Sequence, residues 1–297
     1  MKILRLLLII VLYAMPKMGF AEGFIPDLNR GASVFEFECD GSFEGTTIKV
    51  YYYVPSKGDI KKMKVQFVMH GVNRNADDYR DSWISKADQY GIVILAPMFD
   101  KENFPSKKYQ SGNVYSKGKI NKQEKLTYSQ IDAIFTAYAK KYHLEDCTYN
   151  IYGQSAGAQF VHRFVMFYNS PYLDRAIAAN AGTYTFPSDE LYYPFGYKDI
   201  GGVGQITEAM FKRKLTILLA DGDTKRDSNL NVSEEADRQG LNRWERGNNF
   251  FKLAKDFANQ HHFSFSWQLK TITGSAHSNS KMAPKAADLL YGSNTKR

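Results

Sequence analysis

The chain has 297 residues, of which 43% are hydrophobic and 24% are charged. This balance excludes a disordered or low-complexity protein, and the length allows one large domain or two small ones. A formal net charge of +8 raises the question of nucleic acid, an anionic membrane or an acidic glycan as partner. Because the basic residues are spread along the chain, apart from lysine clusters at 107–125 and the C-terminus, the charge indicates a solvated surface. No nucleic-acid partner is expected.

The first residues have the pattern of a secretory signal. Lys2 and Arg5 precede an apolar run, Leu6–Met15, which is too short to span a bilayer as a stable helix. Small residues follow, so we expect a signal peptide over 1–21 and a mature domain over 22–297, in the periplasm or secreted. An uncleaved anchor or a buried N-terminal helix is the alternative. No other stretch is apolar enough to span a membrane.

Runs of β-branched and aromatic residues alternate with longer helix-like segments, which is typical of an α/β domain with a mostly parallel central sheet flanked by helices. The first two predicted strands are joined by a glycine-containing turn, which favours an antiparallel hairpin at the sheet edge. The predicted strands are Ser33–Cys39, Thr46–Val54, Lys64–Met69, Ile92–Ala96, Thr148–Tyr152, Ala176–Ala179, Leu215–Ala220 and Phe265–Ile272.

The spaced apolar positions of five segments predict helices that pack on the sheet. Two stretches, Phe99–Lys125 and Thr183–Gln205, are predicted to be irregular, and they either border a binding cleft or are ordinary surface loops. No linker divides the chain, so a single domain is expected. The predicted helices are Asp77–Gln89, Tyr128–Tyr142, Ala156–Phe167, Trp244–Asn259 and Ala283–Leu290.

The two cysteines, Cys39 and Cys147, either form one disulfide in an oxidising compartment or remain free thiols. The chain has no Cys-x-x-Cys pair that would indicate zinc or redox chemistry. We therefore assign the cysteines no catalytic role.

The most informative segment is a predicted strand that runs into Gly153-Gln154-Ser155-Ala156-Gly157 and then into a helix. This Gly-x-Ser-x-Gly spacing is typical of a nucleophile elbow, a turn so tight that the serine needs neighbours without bulk. A helix that begins beside the serine directs free N–H groups toward a developing oxyanion. The pattern predicts Ser155 as a nucleophile.

A serine hydroxyl needs a base, and the base needs an orienting carboxylate; nucleophile elbows are followed by these in the order acid, then histidine. Asp223 follows a predicted strand and is our choice for the acid, with Asp221 and Asp227 as alternatives. His277 follows the last predicted strand and is our choice for the base. The other histidines occupy positions with simple structural explanations.

An oxyanion hole is expected where the strand before His70 ends in a His-Gly turn. Gly71 lets the backbone turn inward, and the N–H groups of Val72 and Ala156 are the predicted donors. His70 is interpreted as a residue that orders the turn.

With these motifs the chain resembles the α/β-hydrolase superfamily, and more narrowly secreted esterases similar to polyhydroxybutyrate depolymerases and feruloyl esterases. The resemblance runs from Lys64 to Leu290 and includes the segment His70–Asp81. It implies hydrolysis of an ester through an acyl-enzyme, without metal or organic cofactor, on a small-molecule or polymeric substrate. The absence of a binding module or a linker toward one puts action on insoluble polymer in doubt. A serine peptidase and an inactive protein that binds a glycan or polymer are the alternatives.

Overall fold

The computed structural model of the protein describes residues 24–292, and the predicted signal peptide lies outside the described residues. Strands and helices alternate through most of this range. The strands are β1 Gly31–Glu38, β2 Thr47–Val54, β3 Lys64–Met69, β4 Ile92–Met98, β5 Tyr115–Ser116, β6 Lys119–Ile120, β7 Tyr149–Gln154, β8 Leu173–Ala179, β9 Lys214–Ala220 and β10 Gln268–Ile272. The helices are α1 Ala76–Asp81, α2 Ile84–Tyr90, α3 Ser129–Tyr142, α4 Ala156–Phe167, α5 Glu208–Lys212, α6 Glu234–Asp237, α7 Arg243–Gln260 and α8 Asn279–Tyr291.

Eight of the strands form one sheet in the order β1-β2-β4-β3-β7-β8-β9-β10. The pairs β1–β2 and β2–β4 are antiparallel, and the remaining pairs are parallel. The predicted edge hairpin and the mostly parallel sheet are therefore confirmed. Because the parallel strands point the same way, their carboxyl ends meet at one edge, where ligands bind in open α/β sheets.

Helices cover both faces of the sheet, and the residues of the buried strands alternate between the two cores. In β3, Phe67 and Met69 face the core beneath α3, α4 and α7, whereas Val68 faces the core beneath α1, α2 and α8. Burial on both faces explains the continuous apolar runs in the sequence.

The prediction of one helix over Asp77–Gln89 was wrong, because the segment forms two helices that are interrupted at Ser82 and Trp83. The Ser82 hydroxyl donates to the carbonyl oxygen of Asp78, and the Trp83 N–H donates to the carbonyl oxygen of Arg80. This tighter turn places the Trp83 indole, which has no exposed surface, in the core. Burial of one large ring therefore decides where the helix breaks.

The last strand begins later than predicted, at Gln268 instead of Phe265. The preceding residues pack against α5 and α7: the Phe265 and Trp267 rings contact the ring of Phe211, and the Ser266 N–H donates to the Phe211 carbonyl oxygen. Aromatic packing therefore replaces sheet pairing in this segment. The short elements α5, α6 and the β5–β6 hairpin were not predicted from the sequence.

Two buried arginines hold the irregular stretches against the sheet edge. Arg74 donates to the carbonyl oxygens of Phe99 and Phe104, at 2.7 and 3.0 Å. Arg163, in α4, donates to the carbonyl oxygens of Gln110 and Pro194, at 3.0 and 3.1 Å. A guanidinium carries five donors, so one side chain can bond to carbonyl groups of several loop residues at once.

Both cysteines are free thiols, Cys39 buried and Cys147 exposed. Burial raises the pKa of the Cys39 thiol to about 12, so this side chain is un-ionised at neutral pH. Across residues 24–292, no helix is long and apolar enough to cross a membrane.

Candidate active site

Ser155 lies in the turn between β7 and α4, at the carboxyl edge of the sheet. Its backbone has φ 60° and ψ −115°, a conformation that non-glycine residues rarely adopt. A hydrogen bond of 2.9 Å from its N–H to the Ala179 carbonyl oxygen holds the turn to the neighbouring strand. Backbone strain of this kind concentrates at functional sites, where the surrounding structure maintains it.

The two glycines of the motif are required by close packing. A Cβ at Gly153 would lie 2.3 Å from the carbonyl group of Gly157, and a Cβ at Gly157 would lie 2.1 Å from the carbonyl oxygen of Met69. Neither clash involves a flexible side chain, so neither is relieved by a rotamer change. The second contact places the beginning of α4 directly against the end of β3, where the His70-Gly71 turn starts.

His70 is fully buried, and both of its ring nitrogens contact the backbone. The Phe99 N–H donates to Nε2 at 3.1 Å, so Nδ1 carries the ring proton and donates to the Gly71 carbonyl oxygen at 2.9 Å. Burial lowers the pKa of His70 to about 3. The ring also stacks on Tyr109, whose hydroxyl donates to the His70 carbonyl oxygen. His70 is therefore a neutral part of the turn and has no free nitrogen to act as a base.

The backbone N–H groups of Val72 and Ala156 lie at this edge. Ala156 is the first residue of α4, so its N–H has no acceptor within the helix. The Val72 N–H makes no hydrogen bond within residues 24–292. Gly157 lies against the β3 end that leads into the Val72 turn, so both donors belong to neighbouring segments. They remain our candidates for the oxyanion hole.

The structure brings His277 and Asp223 together. The His277 Nδ1 lies 2.6 Å from Oδ2 of Asp223, whose side chain is 1% exposed, whereas the His277 side chain is 24% exposed. Arg243 is also buried, and its Nη1 lies 3.5 Å from Oδ1 of Asp223. A carboxylate bonded to Nδ1 fixes the tautomer and leaves Nε2 free to accept a proton.

The two alternative acids have other contacts. Asp221 accepts a hydrogen bond from the Gly274 N–H at 2.8 Å and so joins two backbone turns. Asp227 accepts two hydrogen bonds from Arg243, at 2.7 and 3.0 Å, and these hold its pKa at about 2. Among the three carboxylates, Asp223 is the one hydrogen-bonded to His277.

The Ser155 hydroxyl makes no hydrogen bond within the described part of the chain. His277 nevertheless lies beside the nucleophile turn, because the amide nitrogen of Gln154, the residue before Ser155, is 3.2 Å from each of its ring nitrogens. Hydrogen bonds between nucleophile and base are often long in ligand-free sites and shorten when substrate binds.

Three side chains at this site received no role from the sequence: Gln154, Arg243 and Tyr79, which lies within the resembling segment His70–Asp81. The Tyr79 hydroxyl donates to Oε1 of Gln154 at 2.7 Å. From the sequence, the one sign that Gln154 belongs to the site is its position next to Ser155, because its contacts Tyr79 and His277 are distant along the chain.

Among residues 24–292, no group of three or more His, Cys, Asp or Glu side chains is arranged to hold a metal ion.

Two solved structures are similar to this chain in both sequence and fold. No family model and no curated protein matches the chain. Poly(aspartic acid) hydrolase-1 from Sphingomonas sp. KT-1 is 36% identical, with 89% of this chain and 100% of that chain covered and a TM-score of 0.81. A poly(3-hydroxybutyrate) depolymerase from Bordetella parapertussis is 28% identical, with 89% and 90% covered and a TM-score of 0.82.

An acetyl xylan esterase from Aspergillus awamori is 13% identical, with 88% of this chain and 99% of that chain covered and a TM-score of 0.54, and shows likeness of fold alone. The first two structures are similar over nearly their whole length, and the first exceeds a third identity. The chain therefore belongs to the α/β-hydrolase superfamily, in the same family of hydrolases as poly(aspartic acid) hydrolase-1.

Proposed function

We propose that the protein is an exported serine hydrolase that cleaves carboxylic esters through an acyl-enzyme, with Ser155, Asp223 and His277 as its catalytic triad. The observation that carries the proposal is the buried Asp223 carboxylate bonded to Nδ1 of His277, beside a serine in a strained turn. A strained elbow has no evident structural purpose in itself, whereas it exposes a nucleophile in α/β hydrolases.

The steps follow from this arrangement. His277 Nε2 takes the proton of the Ser155 hydroxyl while Oγ bonds to the substrate carbonyl carbon, and the N–H groups of Val72 and Ala156 stabilise the oxyanion. The imidazolium, stabilised by Asp223, then gives its proton to the leaving alkoxide as the ester bond breaks. Water, deprotonated by His277, attacks the acyl-enzyme and releases the acid, and the proton returns to Ser155.

Labelling with a fluorophosphonate tests the triad. Intact-mass measurement on the purified protein is expected to show one probe adduct on the wild type and none on Ser155→Ala or His277→Ala, since the probe reacts with activated serines. An unlabelled wild type would contradict the triad and favour the inactive binding protein. Binding of a polymer or glycan that survives Ser155→Ala would then support that alternative.

Amide hydrolysis is a second candidate, favoured by one specific observation. The chain is 36% identical to poly(aspartic acid) hydrolase-1 over the whole of that enzyme, and poly(aspartic acid) is linked by amides. The proposed signal peptide carries Lys2, Arg5 and Lys17 of the formal net charge of +8, and the remaining +5 of the mature chain is complementary to such a polyanion. The same acyl-enzyme chemistry cleaves both bond types.

Product analysis separates the two candidates. The protein is incubated with poly(aspartic acid) and, separately, with poly(3-hydroxybutyrate) and p-nitrophenyl butyrate, each beside Ser155→Ala as the control. New amine termini from poly(aspartic acid) would establish amide hydrolysis. Release of hydroxy acid or p-nitrophenol alone would establish ester hydrolysis.

Export is part of the proposal and rests on the amino-terminal pattern. Intact mass of the protein recovered from the periplasm or medium of expressing cells is expected to correspond to a chain that begins near Glu22. A full-length chain that remains in the cytoplasm would contradict export without affecting the proposed chemistry.

A further inference from the structure

Gln154 is in contact with the proposed base. Its Nε2 lies 3.2 Å from Nδ1 and 3.2 Å from Nε2 of His277. An amide nitrogen at equal distances from both ring nitrogens and in the ring plane would collide with Cε1. The amide nitrogen therefore lies over the face of the imidazole, where an N–H is attracted to the π electrons.

Tyr79 determines which end of the Gln154 amide faces the histidine. Burial raises the pKa of the Tyr79 phenol above its ordinary value, so the phenol keeps its proton. Its one proton is donated to Oε1 of Gln154 at 2.7 Å. With Oε1 occupied, the N–H groups point toward His277.

The contact between the Gln154 amide and the His277 ring restrains rotation of the imidazole, which the hydrogen bond to Asp223 alone does not prevent. One hydrogen bond at Nδ1 leaves the imidazole free to pivot about that bond, and the pivot moves Nε2 relative to the Ser155 hydroxyl. Contact on the ring face opposes the pivot. A series of contacts connects the turn at Gly71, through Tyr79 and Gln154, to the ring of His277. Tyr79 packs closely on that turn, since a Cβ at Gly71 would lie 2.6 Å from the Tyr79 hydroxyl oxygen.

We propose that Gln154 is a positioning residue that holds the His277 ring in its productive orientation, and that Tyr79 acts through it by fixing the orientation of the amide. The role rests on the proposed function, because it matters only if His277 is the base. In this scheme Gln154 takes no proton and forms no bond to the substrate; it acts through the His277 ring that it contacts.

Steady-state kinetics on p-nitrophenyl butyrate test the role. Gln154→Met keeps the length of the side chain but removes its N–H groups, and Tyr79→Phe removes the proton that orients the amide. We expect kcat to fall about tenfold in Gln154→Met, and by a smaller factor in Tyr79→Phe, with KM unchanged in both. The double variant is expected to equal Gln154→Met, because Tyr79 acts through Gln154.

Tyr138→Phe is the matched control, since the Tyr138 hydroxyl is fully buried and has no hydrogen-bond partner within the described residues. Its kcat is expected to equal that of the wild type. The positioning role would be overturned by any of three results: a wild-type kcat in Gln154→Met, additive losses of kcat in the double variant, or a loss of kcat in Tyr138→Phe equal to that in Tyr79→Phe. If Gln154→Met does not fold, Tyr79→Phe alone tests the role: a lower kcat with an unchanged KM supports it, and a wild-type kcat overturns it.

A wild type that does not react with the fluorophosphonate would instead overturn the proposed function, and the positioning role with it.

Discussion

Gly157 and Met69 are in such close contact that a Cβ on Gly157 would lie 2.1 Å from the Met69 carbonyl oxygen. Gly157→Ala must therefore push α4 away from β3 and displace Ser155. We expect a destabilisation of about 3 kcal/mol and loss of fluorophosphonate labelling. Thermal unfolding and intact mass measure both effects. Gly204→Ala is the control, because nothing lies within 4 Å of a Cβ there. Wild-type melting and labelling of Gly157→Ala would show that the elbow is not tightly packed.

The choice of acid is tested by comparing Asp223→Asn with Asp227→Asn. Asp223 contacts His277, whereas Asp227 is paired with Arg243 and is partly exposed. Loss of the orienting carboxylate is expected to lower kcat by about 10³–10⁴-fold, and loss of Asp227 by less than about tenfold. Kinetics on p-nitrophenyl butyrate measure both. The reverse ranking would make Asp227 the acid.

We expect the free energy of unfolding to depend on pH through the carboxyl group of Asp132. Its carboxylate is buried beneath α3 and accepts hydrogen bonds from three hydroxyl groups, yet burial raises its pKa from 3.8 to about 6. The three hydroxyl groups belong to Tyr149, Tyr168 and Ser170. A carboxyl group whose pKa is higher in the folded state disfavours folding once it ionises. Ionisation of Asp132 therefore does not lower the free energy of unfolding below about pH 4, and above about pH 6 it lowers it by about 3 kcal/mol.

Urea unfolding of the wild type and Asp132→Asn across this pH window measures the effect. The variant cannot ionise, so its free energy of unfolding relative to the wild type should rise by about 3 kcal/mol from pH 4 to pH 7. A difference that does not change with pH would show that the carboxyl group has the same pKa in both states.

Arg163 is expected to stabilise both irregular stretches, because it is fully buried and bonded to Gln110 and Pro194. Arg163→Met leaves the Gln110 carbonyl group without this donor and the Pro194 carbonyl group with the Thr185 hydroxyl as its remaining donor. We expect this to cost about 3 kcal/mol and to expose both stretches to proteases. Limited proteolysis with mass mapping, together with urea unfolding, measures this. Arg238→Met is the control, since its pair with Glu234 is exposed. Unchanged cleavage and stability in Arg163→Met would contradict the role.

Local patterns in the sequence determined the sheet class, the approximate positions of the strands and the elbow. The strand β3, Lys64–Met69, and the helix α4, Ala156–Phe167, have the predicted bounds. These features depend on short-range properties: apolar runs, turn residues and the need for glycine beside a strained serine. The glycines at 153 and 157 carry this information because only their absence of a Cβ permits the turn.

Contacts between distant parts of the chain decided the rest. Asp221, Asp223 and Asp227 all follow the same strand, and local spacing does not distinguish them, whereas His277 contacts Asp223 across 54 residues. Gln154 meets His277 across 123 residues, a contact that no local pattern indicates. Burial of Trp83 likewise broke a helix whose own periodicity was continuous. Sequence patterns report which side chains must be buried, but only the packed fold determines which distant polar groups meet.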